Sequence, residues 1–85
     1  MTPGAILLAA KELVEGPRAK AHGNYEENFK VIAALWSVYL DTEVTPRDVA
    51  HLMALLKIGR DLVSPGNGDN AIDAAGYEAI AGALE

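Results

Sequence analysis

Residues 45–66, TPRDVAHLMALLKIGRDLVSPG, set the strongest limit on the fold. Thr45 is a helix N-cap, and Pro46 takes the first helical position, where the missing N–H costs nothing. Asp48 stands where a capping box needs an acid. From there to the Pro65-Gly66 stop, the apolar residues fall into two stripes at helical spacing. Val49, Leu52, Met53, Leu56 and Val63 form one; Leu55, Ile58 and Leu62 form the other. A helix apolar on two sides calls for cover on two sides. Yet Lys57 sits between Leu56 and Ile58, and Arg60 follows three residues later, in a chain with seven Lys and Arg in all.

The rest of the chain follows the same grammar. Thr2 and Pro3 open a helix whose Ile6, Leu7, Ala10, Leu13 and Val14 share a stripe, and Gly16-Pro17 stops it. Asn24, with Glu27 three residues on, reads as the capping box of a second helix. Phe29, Ile32, Ala33, Trp36, Tyr39 and Leu40 give that helix one apolar face; Val31, Leu35 and Val38 give it another. After the turn at Asn67-Gly68-Asp69, Asp69 or Asn70 can cap a last helix rich in Ala and Gly, which implies close approach of another backbone. No segment alternates with period two, so no strand is predicted. The expectation is one all-α domain over residues 1–85. Helices near 3–15, 25–40, 46–63 and 70–84 form a compact four-helix antiparallel arrangement. The second apolar faces predict a homo-oligomer, at least a dimer.

Composition narrows the function. Of 85 residues, 51% are hydrophobic and 22% charged, a surplus of apolar surface for so small a domain. The absence of cysteine excludes disulfides and thiolate metal sites. No apolar run reaches the roughly 20 residues of a membrane span, and no basic segment leads into a cleavable apolar one. A cytoplasmic protein with no membrane partner is expected. The net charge of −5 leaves no large basic face for nucleic acid. It does not prevent two or three placed cations from holding a small anion.

Two groups of residues can do so. Lys57 and Arg60 either lay their stems over apolar surface with the charges in water, or point into a concave site. Asp73 is the expected internal partner of Lys57, because buried cations are rarely left unpaired. It lies on one helical line with Asn70 and Tyr77. In the second group, Arg18, Lys20 and His22 precede Gly23, which permits a positive φ, and Asn24, which opens a helix whose first N–H groups attract anions. Asn28 follows one turn later. The spacing is not that of a P-loop, so an ordinary solvated loop is the competing reading. Trp36 and Tyr77 offer rings to a base, although core packing is the more common use of a tryptophan. His22 and His51 lack metal-ligand spacing. Glu26, Glu27, Asp69 and Asp73 are the carboxylates able to hold Mg²⁺, although Glu26-Glu27 is explained by capping.

Three stretches resemble a family of small phage and prophage proteins described as domain of unknown function 6378. The pattern R-x-K-x-H-G-x-x-x-x-N-F is matched by Arg18, Lys20, His22, Gly23, Asn28 and Phe29. DVA-x-x-M-x-LLK-I-x-R is matched from Asp48 through Met53 and Lys57 to Arg60. D-x-x-x-D-x-AGY is matched by Asp69, Asp73, Gly76 and Tyr77. The resemblance runs from Ile6 to the end and implies no activity by itself.

Two wider likenesses imply different chemistry. The helical plan is similar to MazG-type all-α NTP pyrophosphohydrolases, which implies Mg²⁺ on acidic helix motifs. Here Glu26-Glu27 lacks the third acid of EExxE, and only Asp69 and Asp73 stand in for the downstream pair. In size and pocket chemistry the chain also resembles small phage-encoded oligomers that sequester host immune nucleotides. These include binders of cyclic ADP-ribose isomers and of cyclic oligonucleotides. That implies a binding pocket without a cofactor or catalytic centre, in the cytoplasm of an infected bacterial host. The leading expectation is non-catalytic sequestration of a phosphate-bearing signalling nucleotide by Arg18, Lys20, His22, Gly23, Asn24, Asn28, Trp36, Lys57, Arg60, Asn70, Asp73 and Tyr77. The alternative is Mg²⁺-dependent hydrolysis on Asp69 and Asp73.

Overall fold

The structure, a computed structural model, describes all residues except His22, Asn67 and Glu85, together with the side chain of Arg18. Among the described residues it is all-helical: α1 Pro3–Glu15, α2 Pro17–Ala21, α3 Tyr25–Leu40, α4 Pro46–Val63 and α5 Asn70–Ala83. No helix is long and apolar enough to cross a membrane.

The four long helices lie where their caps and stops predict. The Ala5 N–H donates to the Thr2 hydroxyl at 3.1 Å. At α4 the capping box is complete: the Asp48 N–H donates to the Thr45 hydroxyl, and the Thr45 N–H donates back to Asp48 Oδ2 at 2.9 Å. Asn24 caps α3 through Glu26, whose N–H reaches Asn24 Oδ1 at 2.7 Å, one residue earlier than a capping box with Glu27 would require. Asp69 precedes α5 but makes no side-chain cap bond.

One element is additional. Residues 17–21, expected as loop, form the short helix α2. Gly16-Pro17 does end α1, but a proline that stops one helix also suits the first position of the next. The Gly16 carbonyl accepts from the Ala19 and Lys20 N–H groups at 3.1 and 3.3 Å, which starts the new turn. Gly23 then takes φ +89°, the positive value expected at the junction into α3.

Packing departs from a closed bundle. α4 packs most extensively on α5, α5 also on α1, and α3 on α4, whereas α1 and α3 scarcely touch. The helices are thus joined in series. The radius of gyration is 13.4 Å, against about 12 Å for a compact chain of this length. The core holds Phe29, Ala33, Val44, Val49, Ala50 and Ala81, with Ile32, Trp36, Met53 and Tyr77 packed at its edge. Val49 is its largest fully buried side chain. The turn between α3 and α4 is fastened by Ser37, whose hydroxyl donates to the Ala33 carbonyl at 2.7 Å and accepts from the Val44 N–H at 2.8 Å. This holds Val44 in the core.

The small residues of α5 act as the sequence implies at one place. A Cβ at Gly76 would lie 3.2 Å from Val14 Cγ1, so glycine is what lets α1 approach α5 there. The second apolar stripes find no cover among the described residues. Val31, Leu35 and Val38 on α3, and Leu55, Ile58 and Leu62 on α4, are all exposed.

Candidate functional site

Asp73 is where the site is built. It sits in the first turn of α5, opposite Lys57 near the middle of α4, and the two side chains pair at 3.0 Å. Their side chains are 17% and 24% exposed, so the pair is shielded without being sealed. This is the partner that the shielded position of Lys57 calls for. Lys57 therefore faces inward, and its charge is already balanced.

Two cavities open on either side of this carboxylate. The first, of about 700 Å³, lies between α5, the end of α1 and the start of α3. Lys20, Gly23, Asn24 and Asn28 line it from the α2–α3 junction, and Asp73 and Tyr77 from α5. Phe29 and Tyr77 contribute rings whose centroids are 6.4 Å apart and tilted by 30°. Charge here is mostly negative: Lys20 is matched by Glu15, Glu26 and Asp73. The second cavity, of about 740 Å³, lies between the C-terminal half of α4 and the start of α5. Lys57, Arg60, Asp69, Asn70 and Asp73 line it, so two cations and two carboxylates share its wall. Arg60 is exposed and makes no ion pair among the described residues.

The structure thus gathers most of the sequence-predicted residues, but into two groups. Lys20, Gly23, Asn24, Asn28 and Tyr77 join one cavity; Lys57, Arg60 and Asn70 join the other; Asp73 belongs to both. Trp36 joins neither and packs against the core, the common fate of a tryptophan on a helix. His22 and the Arg18 side chain lie outside the described residues. Asp69 and Asp73, the alternative Mg²⁺ ligands, share the second cavity, yet no group of three or more His, Cys, Asp or Glu among the described residues is placed to hold a metal ion. Sequence reading overlooked Glu15 and Tyr25 as cavity lining, and explained Glu26 by capping. Only the packing of α1 and α3 beside α5 brings them there, and no spacing within one helix signals it.

Among the described residues, ionisation is perturbed at one group, away from both cavities. The Thr45 N–H, and after it the Thr45 hydroxyl, hold the Asp48 carboxyl below its ordinary value of 3.8, with smaller help from the charges of His51 and Arg47. His51 itself pairs through Nδ1 with Glu78 at 2.6 Å on the exposed side of α4 and α5.

Comparison with known proteins returns phage sequences. Gene 55 protein of Mycobacterium phage L5 is 44% identical over 82 residues, which is 95% of this chain and 51% of the relative. Gene 55 protein of Mycobacterium phage D29 is 45% identical over 73 residues, 86% of this chain and 48% of the relative. The chain therefore spans about half the length of the curated relatives it matches. No solved structure matches it. The family model matches residues 5–85, taking in both cavities and all three sequence patterns, and the chain belongs to the domain of unknown function family DUF6378.

Proposed function

We propose that the protein binds a phosphate-bearing nucleotide and holds it without catalysis. One observation carries this reading: an aromatic, largely apolar cavity and a cavity bearing Lys57 and Arg60 adjoin at the Asp73 carboxylate. A nucleotide has the same two-part character. Its base suits the Phe29 and Tyr77 side, where Asn24 and Asn28 supply polar contacts, and its ribose hydroxyls suit a carboxylate such as Asp73. Its phosphates suit Arg60, which has no ion pair among the described residues, with Lys57 beside it. The carboxylates around Lys20 make the α2–α3 junction the poorer end for a polyanion. Signalling nucleotides of the cyclic ADP-ribose or cyclic oligonucleotide type fit this division. In an infected bacterial cell, such binding would withdraw the signal from its receptor. Homo-oligomerisation belongs to the same reading, because both cavities are open and the apolar stripes beside them lack cover.

Each charge-assisted contact contributes roughly 1.5–3 kcal/mol. Calorimetric titration with ADP-ribose, a cyclic ADP-ribose isomer and cyclic dinucleotides, each with and without Mg²⁺, tests the proposal. Binding of one of them, followed by chromatographic recovery of the intact ligand after heat denaturation, is the expected result. No heat with any of them would overturn it. Recovery of cleaved products that require Mg²⁺, with loss of cleavage in Asp69→Asn and Asp73→Asn, would replace it with hydrolysis.

A further inference from the structure

We infer that the outer ridge of α4 is a docking face for a second copy of this chain, paired antiparallel about a two-fold axis near Gly59. Leu52, Leu55, Leu56, Ile58, Leu62 and Val63 are all large, apolar and exposed on this helix, from 42% at Leu52 to 85% at Val63. At helical spacing, Leu55, Ile58, Gly59 and Leu62 form the crest. No charge lies on it. Lys57 is turned inward to Asp73, and the Asp61 carboxylate accepts from the Gly66 N–H at 3.3 Å, toward the following turn.

Area and charge choose the occupant. At these exposures the six residues offer about 600 Å² per copy, and two copies would bury at most about 1,200 Å² through them, the lower bound of stable specific interfaces. A chain of net charge −5 repels its own copy least where carboxylates are fewest, and Leu55, Ile58, Gly59 and Leu62 carry none. An acidic partner would find only Arg60 to pair with, at the edge of the ridge beside Leu56 and Val63. The crest also has a flat centre. A Cβ at Gly59 would meet nothing within 4 Å, so the chain's own packing does not require glycine there. Mid-helix glycine nevertheless costs about 1 kcal/mol relative to alanine. Close approach of a second helix at the symmetry axis accounts for it. The α3 stripe, though equally exposed, has no such centre.

Antiparallel pairing sets Leu55 of one copy against Leu62 of the other. It also covers the mouth of the second cavity, because Leu56, Gly59 and Val63 line that cavity as well as the ridge. The pairing deepens the oligomerisation of the proposed function, but it requires no ligand, so its failure is distinguishable from a failure of nucleotide binding.

Size-exclusion chromatography with light scattering, without ligand and at micromolar concentration, tests it. The wild-type chain should show twice its 9.0 kDa mass. Leu55→Glu and Leu62→Lys should each weaken association at least a hundredfold, and an equimolar mixture of the two should restore the dimer, since each charge then meets its opposite. Val38→Glu, on α3, should leave the mass unchanged. Should either single variant lose its helical circular dichroism, regain of both signal and dimer mass on mixing still decides. A monomeric wild type, a dimeric Leu55→Glu, dissociation caused by Val38→Glu, or failure of the mixture would each overturn the inference.

Discussion

The two cavities share one carboxylate and little else. The α1–α3–α5 cavity is walled by rings and aliphatic side chains, and its charges are mainly acidic. The α4–α5 cavity is smaller in apolar lining and carries both cations of the α4 C-terminal half. The difference teaches how a strongly acidic chain can make room for an anion. It does not raise the overall count of cations. It balances one, Lys57, against Asp73, and leaves the other, Arg60, without an ion-pair partner among the described residues.

The largest effect is expected where the cavities meet. Lys57→Met and Asp73→Asn should each cost about 2 kcal/mol of stability, below the 3–5 kcal/mol of a fully buried pair because each side chain still reaches water. The double variant should lose clearly less than the sum, as denaturant titration of all four proteins would show. Additive losses would mean that the two groups act independently and that the wall between the cavities is not a pair.

A smaller effect should separate the cavities by function. Arg60→Ala should weaken nucleotide binding at least tenfold, about 1.4 kcal/mol, and Lys20→Ala by less than threefold, in calorimetric titrations of folded variants. The reverse order would move the phosphates to the α2–α3 junction and the base to the α4 side.

The smallest effect lies outside both cavities and serves as their control. Thr45→Ala should cost about 1 kcal/mol through the lost cap while leaving binding unchanged. Asp48 adds a pH signature. Its folded carboxyl ionises below 3.8, so the charged box stabilises α4 above that value and the contribution fades as pH falls through the lower, folded-state value. Thermal unfolding followed from about pH 5 down to pH 3 should show this loss in the wild type and less of it in Asp48→Asn. An identical profile in the two proteins would separate the cap from the acid response.

Helix boundaries were legible because caps are local: Thr2-Pro3 and Thr45-Pro46 bring their donors and acceptors with them. α2 was not, since five residues are too few for periodicity and Pro17 reads equally as a stop. The Lys57–Asp73 pair was legible from necessity, as a cation inside an apolar helix needs an acid, and Asp73 stands on the right line of α5. That Asp73 would front two cavities was not legible, because it depends on which side of α5 receives α1 and which receives α4. The double stripes of α3 and α4 told truly that two faces are apolar. They carried no information on whether cover comes from within the chain. Trp36 shows the same limit, since a ring on a stripe looks alike whether it meets a base or Val49's neighbours in the core.

The serial joining of the helices also governs how the molecule breathes. Protection against amide hydrogen exchange follows the free energy of local opening, which is lowest for elements with few packed neighbours. α4 and α5, each packed on two sides by helices, should form the slow-exchanging unit. α1 is held chiefly through α5, at the Val14–Gly76 approach, so it can swing away while the α4–α5 seam stays shut. Leu13, Val14 and Glu15 of α1 line the aromatic cavity. The ring-lined cavity is walled by α1 and α3, each packed on only one long helix, so a ligand seated there should slow exchange in both of them more than in α4.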